Sequence, residues 1–237
     1  MIVGVVGSSR ANNQTVDLAF AVGRALASEG AVVVTGGDHR GKRNRVRTQA
    51  VLGALDFGAG ARILGLLRSR DTPDYAGPAA VRYVATDKKS GRNILTGCVP
   101  DALIALPGGS GTLSEVAFAR ATKRPVVFLG WDRDAVIGAI GSLEKEIIDL
   151  IGLAPELSLP SVPTADLKPW LINRIRRPQC QFAVSVQEAT GILGNVTPLH
   201  GSDVLRALKE TAEATWQRIG DDIAAALHEV GVITQGE

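Results

Sequence analysis

Short apolar runs alternate along the first two thirds of the chain with longer segments in which apolar residues recur every three or four positions. The runs predict strands at residues 2–6, 31–34, 63–67, 83–85, 102–106 and 126–129. The amphipathic segments predict helices over residues 13–29 and 46–58, and a further helix from Thr112. Such alternation is typical of an α/β, Rossmann-like fold, a doubly wound parallel sheet with helices on both faces.

The pattern changes after residue 150. Prolines at 155, 160, 163, 169 and 178 follow one another too closely for a helix or a central strand, and residues 181–186 predict a short strand. Apolar residues spaced by three and four predict one helix over residues 203–230. We expect residues 1–150 to form the Rossmann-like core, and residues 151–237 a proline-rich arm with a C-terminal helical extension packed on the same domain.

Small residues follow three of the predicted strands. Gly7, Ser8 and Ser9 follow the first strand, Thr35, Gly36 and Gly37 the second, and residues 107–111 the run at 102–106. In open parallel sheets, ligands bind in the crevice beyond the carboxyl ends of the strands. The three turns therefore predict one ligand-binding crevice.

The third turn has the composition of an anion cradle. Its residues are Gly108, Gly109, Ser110, Gly111 and Thr112, and a helix is predicted to begin at its end. Unpaired N–H groups and the positive end of the helix dipole favour a phosphate there. A capping box from Thr112 to Glu115 is the structural alternative for the same residues.

A basic segment over residues 40–47 follows the second turn. Arg40, Arg43 and Arg45 oppose the positive end of the predicted helix that follows, and an anionic ligand would offset that cost. We expect these three arginines to make weaker ligand contacts. A solvated charged face is the alternative, and nucleic acid a more remote one.

Composition narrows the classes of function. The 237 residues are 45% hydrophobic, and their net charge of +2 and 4% aromatic content argue against nucleic-acid binding. The two cysteines, Cys98 and Cys180, lie far apart without metal-ligand spacing, so no metal site is expected. No apolar run approaches the roughly 18 residues of a membrane span. We expect a soluble cytoplasmic protein.

Residues 107–115 read Pro-Gly-Gly-Ser-Gly-Thr-Leu-Ser-Glu and match the signature PGGxGTxxE. The chain thereby resembles the Lonely Guy family, whose founding members are cytokinin riboside 5′-monophosphate phosphoribohydrolases, once labelled lysine decarboxylases. Arg92 lies fifteen residues before Pro107, where that family carries its catalytic arginine. The resemblance implies a catalytic pair of Arg92 and Glu115, a 5′-phosphate held by residues 108–112, no required cofactor, and a homodimer or higher oligomer.

Two departures qualify this resemblance. The hydrolases usually have Arg-Lys where this chain has Arg92-Asn93, and their GGGxxGxM turn survives only as Gly36-Gly37. Arg92-Asn93 is similar to the sister branch of molybdenum cofactor carrier proteins, which bind without cutting. The expected partner is therefore a small phosphorylated ligand. One function is hydrolysis of the N-glycosidic bond of nucleoside 5′-monophosphates to base and ribose 5-phosphate. The other is carriage or storage of molybdenum cofactor or a nucleotide.

Overall fold

The computed structural model describes residues 1–37, 42–67, 81–86, 91–141, 167–199, 202–211 and 214–232. Within these residues the strands are β1 (Ile2–Val6), β2 (Val32–Thr35), β3 (Arg62–Leu67), β4 (Val81–Ala85), β5 (Ala102–Ala105), β6 (Val126–Leu129) and β7 (Cys180–Ala183). They form one sheet in the order β4-β3-β2-β1-β5-β6-β7, and all neighbouring strands run parallel. The predicted Rossmann-like fold is confirmed.

The helices of the described residues cover both faces of this sheet. They are α1 (Asn13–Ser28), α2 (Val46–Asp56), α3 (Gly91–Cys98), α4 (Ser110–Ala121), α5 (Arg133–Gly141), α6 (Leu167–Ile175), α7 (Val186–Leu193), α8 (Ser202–Glu210) and α9 (Ala214–Glu229). Apolar residues of α1, α2 and α7 form the core on one face, and those of α3, α4, α5, α6, α8 and α9 form the core on the other. Strands covered in this way are apolar throughout, as β1 is.

The position of α2 is fixed by close packing against α1. A Cβ atom on Gly23 would lie 2.0 Å from the carbonyl oxygen of Ala50, and one on Gly53 would lie 1.9 Å from the carbonyl oxygen of Phe20. No larger residue fits at either contact without moving the backbone. The first turn of α2, which enters the cavity described below, is thus held against the sheet.

The structure corrects the prediction of one helix over residues 203–230. Helices α8 and α9 are separate, and a Cβ atom on Gly220 would lie 3.0 Å from the Cβ atom of Leu208, so the two helices touch. The apolar residues of both belong to one core. Their spacing therefore continues across the break, which is why periodicity alone did not show it.

The prediction that the closely spaced prolines exclude a helix is also wrong in part. Pro169 lies inside α6, as its third residue. Proline is tolerated there because the first N–H groups of a helix have no partner within it. Prolines 155, 160 and 163 lie outside the described residues. Helix α7 was not predicted, and β7 extends the sheet beside β6, whereas the boundary at residue 150 stays a prediction.

Among the described helices, none is both long enough and apolar enough to cross a membrane.

Candidate functional site

A cavity of about 330 Å³ lies beyond the carboxyl ends of β1, β2 and β5. All three turns predicted from the sequence contribute to it. Its walls are formed by Val5, Val6, Gly7, Ser8, Ser9, Thr35, Gly36, Arg47, Arg92, Asn93, Gly109, Ser110, Gly111, Thr112 and Glu115. A volume of this size accommodates a small-molecule ligand.

The glycine-rich turn leads directly into α4. The helix begins at Ser110, and its N-cap is Gly109, which offers no side chain to cap it. Thr112 is consequently the third residue of the helix, so the capping box proposed for Thr112 and Glu115 does not form. The N–H groups of the first turn have no partner within the helix and lie at the cavity, together with the positive end of the dipole.

Two glycines of this turn serve different purposes. A Cβ atom on Gly108 would lie 2.1 Å from the Thr112 Oγ1 and 2.9 Å from the backbone nitrogen of Ser8. Close approach of two turns therefore requires glycine there. A Cβ atom on Gly109 would meet nothing within 4 Å. Gly109 leaves the entrance of the turn open.

Backbone hydrogen bonds tie the first turn to its neighbours. The N–H of Ser8 donates to the carbonyl of Pro107 over 3.0 Å, and the N–H of Val46 donates to the carbonyl of Ser8 over 3.1 Å. The turn after β1 thus joins the glycine-rich turn on one side to the start of α2 on the other. These hydrogen bonds fix the three segments relative to one another at the cavity.

The glycine pair after β2 makes room for two arginine side chains. The Arg92 Nη1 donates to the carbonyl oxygen of Gly36 over 3.2 Å, and a Cβ atom on Gly36 would lie 2.9 Å from the Arg92 Nε. A Cβ atom on Gly37 would lie 2.5 Å from the Arg47 Cγ. The pair is therefore required by packing against Arg92 and Arg47, both of which line the cavity.

A chain of side-chain hydrogen bonds links Arg92 to α4. The Arg92 Nη2 donates to the Asn93 Oδ1 over 3.2 Å, and the Asn93 Nδ2 donates to the Ser114 Oγ over 3.0 Å. The Ser114 hydroxyl in turn donates to the carbonyl oxygen of Gly111 over 2.7 Å. Asn93 thus couples the guanidinium to the first turn of α4.

Glu115 brings a carboxylate to the same cavity. It is the sixth residue of α4 and is 7% exposed, as is Arg92. A Cβ atom on Gly97 would lie 2.4 Å from the Glu115 carbonyl oxygen, so α3 lies directly against α4. This contact brings the helices that carry Arg92 and Glu115 to one side of the cavity, where a cation, a carboxylate and a helix N-terminus face the same space.

Some residues that the sequence predicted as site residues do not line the cavity. Gly37 and Gly108 support the walls but do not line the cavity. Arg43 is exposed, Arg45 is the N-cap of α2, and neither lines the cavity. Arg40 lies outside the described residues. The ligand contacts predicted for these arginines stay predictions.

Val5, Val6 and Asn93 line the cavity without having been predicted as ligand contacts, as do Thr35 and Arg47. Thr35 ends the apolar run before the glycine pair, and Arg47 is the last cation of the basic segment, inside the first turn of α2. Their positions next to predicted site residues were the available signal. Among the described residues, no group of three or more His, Cys, Asp or Glu side chains is placed to hold a metal ion.

Comparison with known proteins defines the family. Residues 1–151 match the family model described as the SLOG cluster4 family. An uncharacterized protein of Archaeoglobus fulgidus is 33% identical over 138 residues, which are 55% of this chain and 85% of that protein. The chain belongs to the SLOG cluster4 family. The family match confirms the resemblance to Lonely Guy-like proteins for the wider family, though not for one subfamily of it.

Two solved structures share the fold. The molybdenum cofactor binding protein of the phototrophic bacterium Rippkaea orientalis is 26% identical, with a TM-score of 0.55 over 81% of this chain and 94% of that one. The molybdenum cofactor carrier protein of Chlamydomonas reinhardtii is 22% identical, with a TM-score of 0.55 and the same coverage. The second likeness is one of fold alone.

Proposed function

We propose that the protein binds and carries a small phosphorylated ligand, and that this ligand is molybdenum cofactor, a pterin that bears a phosphate. The observation that carries the proposal is the meeting of the first turn of α4 with Arg92 in one cavity. The likeness to the cofactor-binding protein of Rippkaea orientalis supports this choice of ligand.

The charge distribution suits an anion. Backbone N–H groups at the start of α4 offer hydrogen bonds to phosphate oxygens, and the helix dipole adds a favourable field. Arg47 and Arg92 add two cations to the same cavity. An arginine can give an oxygen-bearing group of the ligand two parallel hydrogen bonds, which fix the orientation of the ligand.

Binding without cleavage is favoured by the residue that follows Arg92. Asn93 is neutral and is engaged by both Arg92 and Ser114. The hydrolases that the chain resembles usually have a lysine there, a cation that this cavity lacks at residue 93. Among the described residues that line the cavity, the positive charges that can hold an anion are those of Arg47 and Arg92.

Hydrolysis of a nucleoside 5′-monophosphate is the second candidate, because Arg92 and Glu115 both line the cavity that holds the glycine-rich turn. As the base departs, the sugar becomes oxocarbenium-like. A carboxylate near C1′ would stabilise that charge and orient or deprotonate the attacking water. The bound phosphate would place the reacting bond.

Two measurements on the purified protein test these functions. The first is anaerobic titration with isolated molybdenum cofactor, for which we expect saturable binding. Gly109→Val should abolish it while the melting temperature stays within about 2 °C of the parent, because the added side chain enters open space at the turn. Gly138→Val is the matched control, since a Cβ atom on Gly138 in α5 also meets nothing within 4 Å.

The second measurement is the release of ribose 5-phosphate from a panel of nucleoside monophosphates. The carrier function predicts none, and no change in cofactor affinity beyond about threefold in Glu115→Gln. Release by the parent and its loss in Glu115→Gln would instead establish the hydrolase. A parent that binds no cofactor and releases no ribose 5-phosphate would refute both candidates.

A further inference from the structure

We infer that the end of β2 forms a second polar subsite, in which the Thr35 hydroxyl binds an oxygen-bearing group of the ligand remote from its phosphate. The inference rests on the proposed function, because it takes the phosphate to lie at the first turn of α4. It adds a specificity-determining residue and a length for the ligand.

The Thr35 hydroxyl is buried without a partner. The residue is 0% exposed, it lines the cavity, and no group of the described residues hydrogen-bonds to its Oγ1. Buried hydroxyl groups are nearly always paired, because desolvation without a hydrogen bond is unfavourable. A ligand in the cavity would supply the missing partner.

The surroundings of Thr35 define the chemistry of that partner. The next residue, Gly36, packs against the Nε end of Arg92 and accepts a hydrogen bond from its Nη1, and Gly37 packs against the Cβ and Cγ atoms of Arg47. Two arginines at the end of β2, both of which line the cavity with Thr35, favour a carbonyl, hydroxyl or anionic oxygen over an amino group as the bound atom. The bound group is therefore an oxygen acceptor.

Sheet geometry gives the separation of the two subsites. Strand β1 lies between β2, which ends in Thr35, and β5, which leads to the glycine-rich turn. Neighbouring strands are roughly 4.8 Å apart, so the two strand ends lie about 10 Å apart. Inorganic phosphate is too short to reach both. A phosphate joined to a ring that carries oxygen, as in a pterin phosphate or a nucleotide, is long enough.

The test compares Thr35→Val with Thr48→Val. Valine has the shape of threonine without its hydroxyl, and Thr48 in α2 is 1% exposed with an equally unpartnered Oγ1, but it does not line the cavity. Both variants remove an unpaired buried hydroxyl, so both should keep or raise the melting temperature, by up to about 4 °C. Only Thr35→Val should weaken binding.

The probes are isolated molybdenum cofactor and inorganic phosphate. For the cofactor, Thr35→Val should raise the Kd about tenfold, Thr35→Ser should restore most of the affinity, and Thr48→Val should match the parent. For inorganic phosphate, all variants should bind like the parent.

Three results would overturn the subsite. The first is a Thr35→Val variant that binds the cofactor as tightly as the parent. The second is an equal loss of affinity for cofactor and inorganic phosphate in Thr35→Val, which would show that the substitution acts on the phosphate-binding turn before α4. The third is a parent that binds neither probe, which would refute the proposed function as well.

Discussion

Arg92 lies against the bare backbone of Gly36, and this contact closes one wall of the cavity. The Nη1 of Arg92 donates to the Gly36 carbonyl over 3.2 Å, and there is no room for a Cβ atom between the two residues, since it would lie 2.9 Å from the Arg92 Nε. The guanidinium is thereby held at the end of β2 and turned towards the cavity.

Gly36→Ala should displace this guanidinium. We expect a loss of cofactor affinity of about tenfold or more, because a charge-assisted hydrogen bond contributes roughly 1.5–3 kcal/mol. Isothermal titration of the parent and variant measures it. Gly138→Ala is the control for a glycine replacement away from the cavity and should bind normally. Unchanged affinity in Gly36→Ala would show that the position of Arg92 does not matter for the ligand.

Asn93→Ala should interrupt the link between Arg92 and α4 without unfolding the protein. Asn93 is half-buried, and Ser114 keeps its bond to the Gly111 carbonyl. We expect the Kd for the cofactor to rise about two- to tenfold and the free energy of unfolding to change by less than about 1 kcal/mol.

Titration and urea unfolding measure the two effects of Asn93→Ala separately. Asn195→Ala is the control, because the Asn195 Nδ2 donates a hydrogen bond to the backbone carbonyl of Gly191 on the exposed surface, away from the cavity. Equal affinities in both variants would mean that Asn93 does not position Arg92 for binding.

Much of the fold was predictable because the strands are covered on both faces. In β1 and β6 every residue is buried, so the apolar runs and the strands coincide at residues 2–6 and 126–129. The glycine-rich turn was predictable for a related reason, since it follows β5 and opens a helix. The start of that helix was misplaced because Thr112 looks like a cap, whereas Gly109 holds the N-cap without any side chain.

The parts of the site that could not be predicted depend on contacts between distant segments. The sequence places Thr35 in the turn after the second strand, but only the fold shows that its hydroxyl is buried at the cavity with no partner among the described residues. Arg47 looked like any cation of its segment, and α2 packing selects it over Arg43 and Arg45. No local pattern carries information about which arginine of the segment packs against Gly37.

The two cysteines make stability fall at high pH. Burial raises the pKa of the Cys98 thiol from 9.0 to about 12 and that of Cys180 to about 11. Above pH 9 the unfolded chain releases these protons while the folded protein keeps them. The free energy of unfolding should therefore fall as pH rises from 9 towards 11, by up to about 1.4 kcal/mol per thiol and pH unit.

Urea unfolding of the parent and of Cys98→Ala across this range isolates the contribution of Cys98. Cys98→Ala should be less stable than the parent at neutral pH, because it leaves a cavity in the core. Its stability should fall less steeply above pH 9. Parallel curves for the two proteins would show that the Cys98 thiol ionises in the folded state as readily as in the unfolded one.

The last prediction separates Arg47 from the other cations of its segment. Arg47 lines the cavity, whereas Arg43 is exposed and Arg45, half-buried like Arg47, is the N-cap residue of α2 and does not line the cavity. Arg47→Gln should weaken cofactor binding about tenfold at low salt and keep most of that effect at high salt, since solvent ions screen a half-buried charge poorly. The double variant Arg43→Gln/Arg45→Gln should lose no more than about threefold at low salt, and nothing at high salt.

Stability gives an independent readout of the same variants. Cations near the first turn of α2 oppose the positive end of the helix dipole. That turn has no acidic residue to offset their charge. Without ligand, the double variant should be as stable as the parent or more stable. Titration and urea unfolding at two ionic strengths measure both effects. A larger loss of affinity in the double variant than in Arg47→Gln would show that the anion binds at the segment before α2. That result would contradict binding in the cavity that Arg47 lines.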